Sequence, residues 1–334
     1  MTVLLTGAAG FIGYHVTRAL LARGERVIGV DNLNAYYDMR LKRARLARLE
    51  SATGFTFRHA DLADRNAIAA LATAHLEITR VVHLAAQAGV RHSLEDPHAY
   101  ISSNVLGHLN VLELARRLPR LAHLVYASSS SVYGANRVLP FSEADRVDTP
   151  LSLYAATKRA DELMGYAYGH LFGLKQTGLR FFTVYGPWGR PDMAYWLFAR
   201  AILAGEPITV YDGGTLRRDF TYIDDIVAGV IGALDHPPSA EADAPPVRLL
   251  NIGNNQSEPV SRLIALLEQA LGRRAIIVES ARPRADVAET FADITAISAL
   301  TGFAPMTSLE QGIPRFAAWF QAWQRNGATG WPAG

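Results

Sequence analysis

Short apolar runs alternate along this chain with longer segments whose apolar residues recur every three or four positions. Val3-Leu4-Leu5 is followed by a stretch that sets Val16, Ala19, Leu20 and Leu21 on one side. The first pattern predicts a buried strand and the second an amphipathic helix. The alternation continues through a strand over 26–30, a helix over 40–49, a strand over 55–58, a helix over 66–74 and a strand over 81–84. A long helix is predicted over 97–118, then a strand over 121–127, a helix over 153–171 and a strand over 177–182. Strands separated by helices build βαβ units, so the expectation is an α/β fold. Its parallel sheet is doubly wound, with ligands at the carboxyl ends of the strands. Beyond Thr183 the rhythm breaks into Gly/Pro-rich loops and shorter elements, read as a smaller substrate-covering region. A helix over 224–234 and a strand over 249–252 are expected to rejoin the sheet, which makes the smaller C-terminal domain discontinuous. The expected division sets 1–182 with 224–253 against 183–223 with 254–334. Residues 237–246, bounded by proline pairs, read as a surface loop.

The first strand runs into Thr6-Gly7-Ala8-Ala9-Gly10-Phe11-Ile12-Gly13 and then a helix. Glycines there allow a tight turn, a close backbone approach to a pyrophosphate, and close packing of helix on strand. The helix N-terminus offers free N–H groups and the positive end of its dipole to phosphate. This is the layout of a Rossmann-type dinucleotide site, with Gly-x-x-Gly-x-x-Gly spacing. The second strand ends at Asp31, where a carboxylate about twenty residues on should meet the adenosine ribose diol. It would repel a 2′-phosphate, so NAD is favoured over NADP.

Tyr154 and Lys158 form a Tyr-x-x-x-Lys pair on a predicted helix, preceded by Ser128-Ser129-Ser130-Ser131. That spacing puts phenol and ammonium on one face, a turn apart. An ammonium so placed favours phenolate, and a poised phenol is a general base for an alcohol losing a hydride to nicotinamide. A serine hydroxyl can share the proton being moved.

Composition narrows the classes. The 334 residues are 49% hydrophobic and 19% charged, ordinary for a globular protein, and the net charge of +2 gives no nucleic-acid footprint. The absence of cysteine excludes disulfides and thiolate chemistry. The N-terminus enters a strand at once and no apolar run reaches spanning length, so a cytoplasmic enzyme is expected. Only Lys42, Lys158 and Lys175 are lysines in an arginine-rich chain, which makes a lysine at position 158 more notable.

Taken together, Thr6 to Gly13, Asp31, Leu84-Ala85-Ala86-Gln87, Asn104, the serines before Val132-Tyr133-Gly134, and Tyr154/Lys158 resemble the extended short-chain dehydrogenase/reductase family. Within it the chain resembles nucleotide-sugar epimerases over residues 1 to 320. Three segments are similar to the UDP-glucuronate 4-epimerase subgroup: Asp31 to Asp38, Ala85 to Arg91, and Phe182 to Met193. The resemblance implies bound NAD held by Gly7, Gly10, Phe11, Ile12, Gly13, Asp31, Asn32, Asp61, Leu62, Leu84, Ala85, Ala86, Gln87, Asn104, Tyr154 and Lys158. It implies catalysis by Tyr154, Lys158, Ser129 and Ser131. Arg91, Ser129, Thr183, Arg190 and Arg218, with Arg282 or Arg284, are implied for the UDP-sugar. Thr183 stands where many relatives have Asn. Arg190, a planar two-pronged partner for carboxylate, is expected at the sugar C5 substituent. A homodimer through the helices over 97–118 and 153–171 is also implied.

Ser130 and Ser131 occupy places where related dehydratases and decarboxylases carry acidic groups, and hydroxyls cannot do that acid–base work near pH 7. Ser128 and Ser130 are expected to satisfy backbone groups at the strand end. Asp224-Asp225 is read as a helix N-cap rather than a metal site, and His83 and His92 as structural. The expected activity is interconversion of UDP-glucuronate and UDP-galacturonate through a 4-keto sugar. A UDP-glucose/UDP-galactose 4-epimerase, a UDP-glucuronate decarboxylase and a non-catalytic NAD-binding regulator stand as alternatives.

Overall fold

The computed structural model describes residues 1–240, 244–283 and 286–326. Twelve strands are found there: β1 (Thr2–Thr6), β2 (Arg26–Asp31), β3 (Phe55–His59), β4 (Arg80–His83), β5 (His123–Ser129), β6 (Gln176–Phe181), β7 (Thr183–Tyr185), β8 (Pro207–Tyr211), β9 (Arg217–Tyr222), β10 (Val247–Ile252), β11 (Ser257–Pro259) and β12 (Ile276–Ser280). Seven of them form one sheet in the order β10-β6-β5-β4-β1-β2-β3, with every pairing parallel. Neighbouring residues of one strand feed opposite faces. Val3 and Leu5 join one apolar cluster with Val82, Val125 and Leu179, while Leu4 joins another with Val81, Leu124 and Tyr126. A strand buried on both faces must be apolar throughout, which is why these segments read as continuous runs.

The chain winds outward from β1 through β2 to β3, then crosses back to β4 on the other side of β1. The crevice outside the carboxyl ends of β1 and β4 is therefore the topological switch point. Register aligns Thr6 with His83 and Ser129 with Phe181, so the strand ends that carry the expected site lie along one edge. The chain rejoins this sheet at β10, and the helix Ile223–Asp235 packs on the helix Phe11–Ala22. Smaller sheets, β11-β9-β7 and β12-β8, lie outside it.

Several expectations need correction. The predicted helix over 97–118 begins at Pro97 but widens into a π turn at Ile101–Leu106 and ends at Ala115. The wide turn swings Asn104 inward, as π segments at functional sites commonly do. Elements beyond Thr183 are not all short: Val260–Leu271 and Leu309–Asn326 are full helices with strong apolar faces. Asp224 and Asp225 do not cap the helix Ile223–Asp235 but sit in its first turn, where negative charge suits the dipole. Asp225 instead accepts the Met306 and Thr307 N–H groups and so pins the loop before the last helix. Part of the 237–246 segment lies outside the described residues. Among the described residues no helix is long and apolar enough to cross a membrane.

Candidate active site

One elongated cavity opens at the switch point. Its floor is the turn after β1, where Gly7 has a φ of +76° and a Cβ would stand 2.8 Å from the Ala85 nitrogen. A Cβ at Gly13 would collide with the Gly7 carbonyl oxygen. The helix Phe11–Ala22 starts here with no side chain capping it, so its first N–H groups are left for a ligand. Asp31 stands at the far wall, its carboxylate accepting Ala9 N–H at 3.1 Å and Leu33 N–H at 2.8 Å. Those bonds leave each oxygen a further lone pair. Asn32, which donates to Asp61 at 3.0 Å, joins Leu62 and residues Leu84 to Gln87 around the same space. A cradle that no side chain can enter, an open helix end and a carboxylate with free lone pairs at the end of β2 fit a dinucleotide pyrophosphate and its adenosine half. Asn104 does not line this cavity. Its buried amide instead accepts Gln87 N–H at 2.8 Å and donates to the Gln87 carbonyl and to Thr157, tying the loop after β4 to the Tyr154 helix.

The helix Leu153–Phe172 carries Tyr154 and Lys158. Ser152 caps it by accepting Ala155 N–H at 3.1 Å, and Gly173 ends it in the left-handed region. Tyr154 and Lys158 both line the cavity beside Ser129. Lys158 is 2% exposed. Its ammonium donates to the Ala127 carbonyl at 2.9 Å and to Asp161 at 3.0 Å, leaving one of its three N–H groups for the cavity. The Ser129 hydroxyl donates to the Ser131 hydroxyl at 3.1 Å, and Ser131 is set back from the cavity. Ser128 does not serve the backbone as expected. It donates to the buried Glu162 carboxylate at 2.6 Å, which also takes Arg180 in a two-pronged pair. That ion pair locks β5 and β6 to the Tyr154 helix. His83 is structural: Thr6 Oγ1 lies 2.7 Å from its Nδ1, and its ring stacks on His108. His92 meets Glu95 at 3.0 Å and packs against the Tyr36 ring.

Arg190 enters from the loop after β7 and lines the cavity that holds Tyr154. It pairs with Asp192, and burial opposes but does not outweigh the rise in its pKa that this carboxylate causes. The loop is seated by Arg45, a fully buried side chain whose guanidinium donates to the carbonyls of Trp188, Gly189 and Ala9. One arginine thus fastens the sugar-side loop to the glycine turn. Of the other expected sugar contacts, Thr183 is partly exposed at the start of β7 but does not line the cavity. Arg91 and Arg218 gather outside it around Asp286, where Arg91 pairs with the carboxylate at 2.9 Å. Burial lowers the Arg218 pKa, Asp286 opposes this, and nearby Arg282 and Arg91 add to it. Arg282 donates its backbone N–H to Asp212 at 3.1 Å. Arg284 lies outside the described residues.

Residues 3–253 match the sequence profile of the NAD dependent epimerase/dehydratase family. This chain belongs to that family. Among its relatives, a UDP-glucuronate 4-epimerase 3 from Arabidopsis thaliana is 47% identical, over 98% of this chain and 78% of the relative. A probable UDP-glucuronate 4-epimerase from Rhizobium meliloti is 46% identical, over 98% of this chain and 99% of its own. The crystal structure of a Bacillus cereus UDP-glucuronic acid 4-epimerase in complex with UDP-glucuronic acid and NAD superimposes with a TM-score of 0.88. It is 32% identical, and the match covers 96% of this chain and 99% of that one. As in other members of this epimerase/dehydratase family, NAD is the cofactor of this chain.

Sequence reasoning missed Tyr36, Asn34 and Lys42, which also line the cavity, Asp161 and Asp192, which pair with Lys158 and Arg190, and Arg45, which ties loop carbonyls together. Spacing offered a signal for only one: Asp161 lies three residues after Lys158, a helical neighbour. The other contacts join positions far apart in the chain or turn on loop geometry.

Proposed function

We propose that this chain is a UDP-glucuronate 4-epimerase, interconverting UDP-glucuronate and UDP-galacturonate. The observation that carries the reading is Arg190 in the wall of the cavity that also holds Tyr154 and the glycine turn. A cation with planar donors at the sugar end suits a carboxylate at C5, and a neutral hexose has no use for it. Tyr154 removes the proton of the C4 hydroxyl, with the Lys158 ammonium beside it in the same cavity and Ser129 sharing the proton. Bound in the glycine cradle and against Asp31, NAD supplies a hydride acceptor that returns what it takes. The 4-keto sugar turns about its diphosphate, gripped by the arginines near Asp286, and Tyr154 returns the proton on the other face. Oxidation at C4 makes a β-keto acid prone to lose CO2. Arg190 stabilises the carboxylate charge and keeps its bond to C5 out of alignment with the ketone. The serines beside Ser129 offer no acid to assist elimination.

Residues 183–223 with 254–334 form the sugar-binding half in this reading. A homodimer is part of it, supported by Ile101, Leu106, Leu163 and Tyr166, large apolar side chains exposed on the two long helical runs. To test the activity, the purified protein is incubated separately with UDP-glucuronate and UDP-glucose and products are followed by NMR. UDP-galacturonate without UDP-pentose is expected. UDP-pentose as main product, or turnover of UDP-glucose alone, overturns the substrate assignment.

A further inference from the structure

A guanidinium offers two edges to a carboxylate: Nε with one terminal nitrogen, or the two terminal nitrogens together. In Arg190 the first edge is taken. Nε donates to Asp192 Oδ1 at 3.0 Å and Nη2 donates to Asp192 Oδ2. The same Oδ2 accepts the Tyr36 hydroxyl at 3.1 Å. Tyr36 comes from the loop after β2, whereas Arg190 and Asp192 come from the loop after β7. Its ring rests 4.7 Å from that of His92, and the backbone at Gly89 passes so close that a Cβ there would stand 2.8 Å from the Tyr36 oxygen. Asp192 is thus held by groups from two loops. Burial would raise its pKa, but Arg190 prevails and holds it low; burial and Asp192 together push Tyr36 up to about 12. Near neutrality the three are donor, anion and cation.

We infer that Asp192 is the positioning residue that aims Arg190: by taking the side edge of the guanidinium and anchoring on Tyr36, it leaves the terminal edge for the carboxylate of the sugar. The inference rests on the proposed reading that Arg190 receives that carboxylate. Without Asp192 the long side chain keeps its charge but loses its direction. The substrate carboxylate then drifts, and the C5–carboxyl bond can align with the C4 ketone. Its electron pair moves into the ketone, CO2 leaves, the enol takes a proton at C5, and the hydride removed from C4 returns to give UDP-pentose.

The test is product partition, which a merely structural role does not move. Asp192→Asn is expected to lower kcat/KM for UDP-glucuronate about tenfold, the scale of a small misplacement of a reacting group, and to release UDP-pentose beside UDP-galacturonate. Asp192→Glu restores part of both. Tyr36→Phe, which keeps every charge and removes one hydrogen bond, shifts the partition the same way by less, and it serves should Asp192→Asn fold poorly. Slower turnover with no pentose in either variant overturns the inference, as does wild-type behaviour in both. Arg190→Met separates this from the wider reading. If it abolishes UDP-glucuronate turnover while the Asp192 and Tyr36 variants behave as wild type, only the aiming role fails. Wild-type turnover of UDP-glucuronate by Arg190→Met removes the uronate assignment itself.

Discussion

Tyr154→Phe is expected to lower turnover about a thousandfold, within the range for loss of a positioned general base, and to leave NAD binding nearly intact. A thousandfold corresponds to about 4 kcal/mol of barrier. The hydroxyl is the only atom changed, and the ring contact with Tyr100 at 6.0 Å survives in phenylalanine. Ser129 cannot take over, because an aliphatic hydroxyl does not accept a proton near pH 7. The groups assigned to the dinucleotide lie along the glycine turn and Asp31, and the substitution leaves them in place. The measurement pairs NMR rates on UDP-glucuronate with the amount of dinucleotide released on denaturing the purified protein. Equal loss of both would mean that Tyr154 shapes the cradle and is not the base; turnover near wild type would remove it from the chemistry.

Acid is expected to destabilise this protein steeply. His83, His108 and His123 are at most 3% exposed, and burial holds each pKa down: His123 at about 4, His83 well below its ordinary value, His108 lowered. His83 and His108 stack 5.3 Å apart, so charging either opposes the other. The folded pKa is lower than the unfolded value near 6.5, so the unfolded chain binds more protons once pH falls below it. Their stabilisation is complete above pH 6.5 and is lost as pH falls toward the folded values. Each such group contributes at most a slope of about 1.4 kcal/mol per pH unit, reached where the unfolded imidazole is charged and the folded one is not. Three carboxyls oppose them: burial lifts Asp219 to about 6 and raises Glu143 and Asp224, which favours the folded state as pH drops. A fall in Tm of about 4 °C between pH 6 and pH 5 remains after that opposition, at about 2 °C per kcal/mol in a large domain. Thermal melting across pH 7.5 to 4.5 checks it, and His108→Leu should flatten the curve. A Tm unchanged down to pH 5 would show that these histidines titrate normally.

What could be foreseen divides along a physical line. The order of strands and helices through residue 182 follows from local periodicity, and Gly7, Asp31, Tyr154 and Lys158 each obey a spacing rule within one βα unit or one helix turn. Such features are local, so a linear reading reaches them. The clasp of Tyr36 on Asp192 spans 156 positions, and Arg45 reaches the Trp188 carbonyl across 143. Nothing in a single sequence marks which of many arginines makes such a contact. The π turn that aims Asn104 was also hidden, because a widened turn keeps the apolar pattern of an ordinary helix. Asp224 and Asp225 misled for a related reason. An acid at a helix start suits either the cap or the first turn, and the choice belongs to the loop at Met306 and Thr307.

Scarcity of lysine has a practical corollary. Lys158 and Lys42 are buried, 2% and 6% exposed, whereas Lys175 is in the open immediately before β6. That handle therefore sits at the entry end of a parallel strand, opposite the edge where the cavity opens. Attachment through Lys175 to an amine-reactive surface or dye should turn the mouth of the cavity outward and leave Lys158 untouched.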